Sequence, residues 1–190
     1  STLREEIKSP KFSPKRFIEK AYLEASKNIF RKGHIESPEL MGMGTTMVVA
    51  LFYENKLYLG NVGDSRVYLF KRPNLWQVTD DHSLLNEQMK MGMVTENDID
   101  DFVGKNVITR SVGYEESVEV DIYERDLEPD ETYLLCSDGL SGLISDKETL
   151  EILMSHKPDK ALELLIKGAL DAGGDDNISV ILLRSEEGSN

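Results

Sequence analysis

Two β-rich runs, residues 45–53 (TTMVVALFY) and 56–62 (KLYLGNV), are separated only by Glu54 and Asn55. Two residues can make nothing but a tight turn, so the runs must pair as an antiparallel hairpin. Two more strand-like runs follow without a helix between them, residues 66–71 and 75–79. A parallel neighbour would need a crossover of roughly a dozen residues or more. The element order therefore disfavours a doubly wound parallel sheet and favours an antiparallel α+β architecture.

Helices are expected where the apolar period changes. Ser13 and Pro14 read as an N-cap and a first helical residue, and Ile18, Tyr22, Ala25 and Ile29 recur at helical spacing, giving a helix over 15–32. Residues 33–43 read as a loop. Residues 83–104 are polar with scattered Leu and Met, which predicts an insertion over one edge built of two short helices broken at Met91-Gly92. Strands are predicted at 118–125 and 132–136, then helices at 146–155, capped by Asp146, and at 158–172, stopped by Gly173-Gly174. The run ISVILL (178–183) makes a last buried strand. The expected organisation is a single domain over 1–185 with a frayed tail at 186–190.

With 22 Lys+Arg against 35 Asp+Glu, the 190-residue chain carries a net charge of −13. That balance disfavours nucleic acid and anionic lipid as partners, because both are held by cationic side chains. It fits either a well-solvated surface or carboxylates that collect divalent cations. The single cysteine, Cys136, excludes a disulfide framework within the chain and a Cys-rich zinc site, and fits a reducing, cytoplasmic setting. The longest apolar stretch, residues 45–53, is far short of the roughly 20 residues of a membrane helix. The opening STLREEIK is no signal peptide, and the absence of an initial Met leads us to expect residues ahead of Ser1.

Three short acidic turns stand at strand ends: Gly63-Asp64-Ser65, Ser137-Asp138-Gly139 and Asp175-Asp176-Asn177. In an antiparallel sheet the end of one strand shares a rim with the start of its neighbour, so Asp138 and Asp176 could face each other. Carboxylates gathered in this way repel unless a cation lies between them, and hard oxygen donors in small number suit Mg²⁺ or Mn²⁺. Taken singly, each turn is better explained by the turn preference of Asp, Asn and Gly. The histidines His34, His82 and His156 lie at no zinc-ligand spacing and read as solvated or core-satisfied; Cys136 lies within an apolar strand and reads as core. Phosphate-binding glycine motifs, a serine-nucleophile elbow and an EF-hand loop are all missing from the sequence.

Read with their surroundings, the turns join a longer series: Met43-Gly44-Thr45-Thr46, Asn61-Val62-Gly63-Asp64-Ser65-Arg66, Asp81-His82-Ser83, Ile108-Thr109-Arg110-Ser111-Val112-Gly113, Leu134-Leu135-Cys136-Ser137-Asp138-Gly139-Leu140, and Gly174-Asp175-Asp176-Asn177-Ile178-Ser179-Val180. In this order they resemble the metal-dependent Ser/Thr protein phosphatases of type 2C, bacterial branch. The resemblance implies an antiparallel β-sandwich flanked by helices, with residues 84–105 as a small helical flap beside the site and Arg110 at the flap's return to the core. It implies two central Mn²⁺ or Mg²⁺ ions, one of them held by Asp138 and Asp176, and a third, weaker ion shared by Asp64 and Asp138. Gly63, Ser65, Gly139, Asn177, Thr45 and Arg110 support the site. The implied reaction is hydrolysis of phosphoserine or phosphothreonine by a water bridging two metals, with no protein nucleophile. The implied partners are phosphorylated proteins, a Ser/Thr kinase among them, and the expected state is a monomer with no nucleic acid and no membrane insertion.

The family opens with two strands carrying a phosphate-clamping Arg, an acidic metal ligand and an Asp-Gly-x-Gly-Gly turn. None of these occurs in residues 1–190. The helix at 15–32 corresponds to the family's second, so an N-terminal portion of about 50 to 60 residues is expected ahead of it. Gly142 stands where some relatives have an acid for the third ion, and residues 101–105 lack the His-Pro pair common before the Asn-Val-Ile-Thr segment. Two other readings remain open at this point: a non-catalytic interaction or sensor domain on the same fold, and an acidic Ca²⁺-binding module.

Overall fold

The hairpin forms as its two-residue turn demands. Strand β1 (Met47–Tyr53) pairs antiparallel with β2 (Lys56–Val62), from Met47 opposite Val62 to Tyr53 opposite Lys56, and Glu54 takes the left-handed backbone conformation at φ 54°. The computed structural model describes residues 7, 11–99 and 102–185, and the chain divides into two units, residues 1–63 with 81–126 and residues 64–80 with 127–190. The expectations for the opening segment and for the tail at 186–190 lie outside the described residues.

In the first unit the sheet order is β1-β2-β5, with β5 at Asp121–Asp126. Helix α1 (Pro14–Arg31) covers it: Ile18 and Tyr22 are fully buried and pack with Val62, Val112, Met47 and Val49. Each such apolar side chain contributes about 1.5–3 kcal/mol relative to exposure. The Tyr22 hydroxyl donates to the Met47 carbonyl at 2.8 Å, and burial pushes its pKa up. Ser13 occupies the N-cap position but its side chain makes no capping bond; Pro14 starts the helix by its fixed φ and lacks an N–H to satisfy. Where the sequence predicts a loop from residue 33, α1 runs on into a π turn, Lys32–Glu36, and a 3₁₀ turn, Pro38–Leu40. Strand β5 starts at Asp121 rather than 118, because its ladder begins at the pair Asn61–Asp121, one residue before β2 ends.

Within the flap segment, α2 (Leu84–Lys90) is capped by Ser83, whose Oγ accepts from the Asn86 N–H, and a 3₁₀ turn follows at Glu96–Asp98. The break falls at Met91 and Gly92 as predicted; residues 100–101 of this segment are outside the described ones.

The second unit holds a four-stranded antiparallel sheet of order β4-β3-β6-β7, with β3 at Arg66–Lys71, β4 at Asn74–Gln77, β6 at Thr132–Cys136 and β7 at Val180–Arg184. All five residues of β6 are buried. Helices α3 (Asp138–Ser141), α4 (Asp146–Ser155) and α5 (Pro158–Asp171) supply Leu140, Leu153, Leu165 and Ala169 to the core, with Tyr68, Leu134 and Cys136 from the sheet. Strand β4 stops at Gln77 instead of 79. Beyond it the Thr79 hydroxyl, not its backbone, accepts the Val67 N–H at 2.9 Å. The predicted cap of α4 is also corrected: Ser145 is the N-cap, its Oγ accepting from the Glu148 N–H while the Glu148 carboxylate accepts from the Ser145 N–H, and Asp146 is the first helical residue. No helix among the described residues is long and apolar enough to cross a membrane.

Candidate metal centre

The register of the second sheet decides where the acidic turns go. Arg66 pairs with Cys136, and Cys136 pairs with Val180. Asp64 and Ser65 lead into β3 at this rim, Asp138 leaves β6 there as the first residue of α3, and Asp176 and Asn177 lead into β7. Three aspartates distant in sequence therefore stand on segments that enter or leave one sheet at the same rim.

The β6 and β7 turns are joined beyond the ladder. The Ser137 N–H donates to the Ser179 carbonyl at 3.0 Å, the Ser137 hydroxyl donates to the Asn177 carbonyl at 2.9 Å, and the Ser179 N–H donates back to the Ser137 Oγ at 3.0 Å. Gly139 lets the turns touch: a Cβ there would stand 2.5 Å from the Asn177 carbonyl oxygen and 3.4 Å from the Asp176 carbonyl carbon. Asp138 and Asp176 are exposed, and each turns its Oδ1 onto the next backbone N–H, at 2.9 Å from Gly139 and 2.6 Å from Asn177. Among the described residues no hydrogen bond reaches either Oδ2. Asp64 is half-buried.

Among the described residues no three His, Cys, Asp or Glu side chains come together closely enough to hold an ion by themselves. The rim thus offers hard carboxylate oxygens in ones and twos with solvent access, a donor set that fits Mg²⁺ or Mn²⁺ retaining several waters and does not fit zinc.

Thr45, Gly63 and Arg110 belong to the first unit. Thr45 bridges Val112 through two backbone bonds of 2.8 and 3.0 Å. Gly63 has φ 105°, and a Cβ there would lie 2.3 Å from the Thr46 Cγ2, so only glycine fits. Its N–H donates to His82 Nδ1 at 3.0 Å, and its carbonyl accepts from the His82 N–H at 3.0 Å. Since Nδ1 accepts, the ring proton is on Nε2, which donates to Asp121 Oδ2 at 3.1 Å. Arg110 Nη1 donates to the other oxygen of Asp121 at 2.7 Å and to the Glu119 carbonyl at 3.2 Å. Partial burial alone would raise the Asp121 pKa; the bonds from His82 and Arg110 outweigh it and hold the carboxyl below the ordinary aspartate value. His82 is thus core-satisfied, one of the two readings that the sequence left open, and its ring accepts from the Gly63 N–H. Asp121 is the residue sequence reasoning missed; within the strand predicted at 118–125 it read as one more polar position of the alternation.

A sequence profile of the family described as Protein phosphatase 2C matches residues 1–178. The chain belongs to that family. This phosphatase family member is 36% identical over 171 residues to the serine/threonine phosphatase stp of Listeria monocytogenes, a match spanning 90% of the chain and 68% of that protein. The solved serine/threonine phosphatase PstP/Ppp of Mycobacterium tuberculosis superposes with a TM-score of 0.80 at 34% identity, over 85% of the chain and 68% of that structure. The catalytic domain of PstP, solved in complex with 2 manganese ions, gives a TM-score of 0.82 at 30% identity, over 95% of the chain and 79% of that structure. The chain spans about two thirds of the length of the curated relatives it matches. The expected α+β fold with two antiparallel sheets and flanking helices is that of the family, and its activity class is metal-dependent protein-serine/threonine dephosphorylation.

Proposed function

We propose that the rim carboxylates of the second unit hold Mn²⁺ or Mg²⁺ and that the chain takes part in hydrolysing phosphoserine and phosphothreonine in proteins. The observation that carries this is the convergence of Asp64, Asp138 and Asp176 at one sheet rim, with Gly139 seated against the Asp176-Asn177 backbone. Asp138 and Asp176 are the assigned ligands of a central ion and Asp64 the assigned ligand of a weaker one. When bound, the ions supply Lewis acidity, the hydrolytic water and stabilisation of charge on the phosphoryl oxygens. The chain's own residues do the placing. The Ser137, Asn177 and Ser179 bonds fix the two turns against each other, and backbone N–H groups hold one oxygen of each carboxylate, which leaves the other as an acceptor for the ion. In the first unit Arg110, through Asp121 and His82, holds the backbone of Gly63. The substrates are phosphoproteins, an opposing cytoplasmic Ser/Thr kinase among them, and the working state is a monomer; the family resemblance supports these assignments.

Mn²⁺ titration calorimetry and Mn²⁺-dependent hydrolysis of p-nitrophenyl phosphate, run on the same samples, test the reading. Asp138→Asn and Asp176→Asn are expected to lose Mn²⁺ binding by about tenfold or more each, with turnover falling at least as far, while the urea midpoint in EDTA stays unchanged. Wild-type Mn²⁺ affinity in both variants would remove these residues from the site. Mn²⁺ binding without turnover would favour the non-catalytic interaction domain.

A further inference from the structure

The end of the second unit's sheet away from the carboxylate rim carries a concentration of positive charge. There Phe70 pairs with Thr132 and Thr132 with Arg184, so the length of β6, about 14 Å at the usual rise per residue, separates this end from Cys136. A cavity of about 590 Å³ opens at it, within the range of small-ligand sites. Its floor is apolar, formed by Phe70, Leu153 and Ala161, each buried, and four cations, Lys71, Arg72, Lys157 and Arg184, line it.

Two of these charges are already balanced: Lys71 pairs with Glu128, and Arg184 Nη2 lies 3.1 Å from Asp130. The other two are not. Arg72 spends a donor on the Met154 carbonyl, near the C-terminus of α4, and among the described residues no carboxylate pairs with Arg72 or Lys157. Lys157 is also the N-cap residue of the 14-residue helix α5, an end that no side chain caps. In a chain of net charge −13, two uncompensated cations over an apolar floor are the reverse of the general surface. A monoanion would leave one of them unmatched; a phosphate dianion matches both, and the guanidinium fork suits its oxygens.

We propose that this cavity binds a phosphate group in its dianionic form, at a site separate from the metal rim. The assignment does not depend on the proposed function, since none of the four cations belongs to that rim. It is tested by calorimetry in EDTA, where the rim can hold no metal, with inorganic phosphate and a phosphothreonine peptide as probes. Saturable 1:1 binding of at least one probe is expected; inorganic phosphate identifies a free anion as the ligand, and binding of the peptide only identifies a phosphorylated protein segment. Lys157→Gln and Arg72→Gln should each weaken it by about five- to tenfold. Lys27→Gln, which removes an exposed charge from α1, should leave it unchanged. No saturable binding of either probe, wild-type affinity in Lys157→Gln, or an equal loss in Lys27→Gln would each overturn the proposal. Lys157 is exposed and its side chain makes no hydrogen bond among the described residues, so its substitution does not endanger folding.

Discussion

Gly139 has no room for a side chain, because the obstacle is backbone rather than a flexible neighbour: the Asn177 carbonyl oxygen stands 2.5 Å from where a Cβ would be. Gly139→Ala should therefore part the two turns, costing about 1–3 kcal/mol of stability by urea denaturation and weakening Mn²⁺ binding with it. Full stability with reduced Mn²⁺ affinity would mean that the turns can part without strain. Asp121 makes a second prediction at this scale. Its pKa is depressed in the folded chain, so its contribution to stability is present above the ordinary aspartate value near pH 4 and is lost as pH falls through the depressed one. Asp121→Asn should flatten the acid limb of the stability curve below about pH 4, with little change in its slope near neutrality. An acid limb as steep as wild type would show that the bonds to His82 and Arg110 carry no such linkage. The aspartates were only half legible in the sequence: Asp64, Asp138 and Asp176 stood out by their Gly, Ser and Asn neighbours, whereas the bonds of Asp121 depend on a histidine 39 residues away.

Among the elements, α4 shows how closely spaced signals are resolved. Ser145 and Asp146 are both good capping residues, and sequence reasoning chose Asp146. The choice falls to Ser145 because Glu148 then sits at the third helical position and can return the bond, a reciprocal pair that Asp146 would not have with Thr149. Ser145→Ala should cost about 1 kcal/mol in urea denaturation, and Asp146→Ala less than half of that; equal losses would return the cap to Asp146. Strand boundaries were blurred for a different reason. Val118 and Val120 carry the right alternation and pack into the apolar cluster of the first unit, yet the ladder starts only at Asp121, opposite Asn61.

For the molecule as a whole, a net charge of −13 means that any divalent cation relieves some self-repulsion, so a metal-induced rise in Tm does not by itself locate a site. Wild type and Asp138→Asn compared in the same Mn²⁺ series separate the two effects. Specific binding at about 100 times Kd adds about 2.7 kcal/mol to wild type. We expect a concentration-dependent rise in Tm that Asp138→Asn largely lacks; equal shifts in both would assign the effect to general charge screening.

The hairpin, the antiparallel α+β class, the main helices and the acidic turns were legible from the sequence alone, because each is written in spacing over a few residues: two between strands, three to four along a helix, two along a strand. What it could not determine is the register that brings Arg66, Cys136 and Val180 into line and carries Asp64, Asp138 and Asp176 to one rim. Nor could it show that Lys71, Arg72, Lys157 and Arg184 surround one cavity at the other end of the same sheet. Both depend on pairings between residues 44 to 70 positions apart. Those pairings are selected by which side chains the whole sheet can bury together, and no local spacing records that choice.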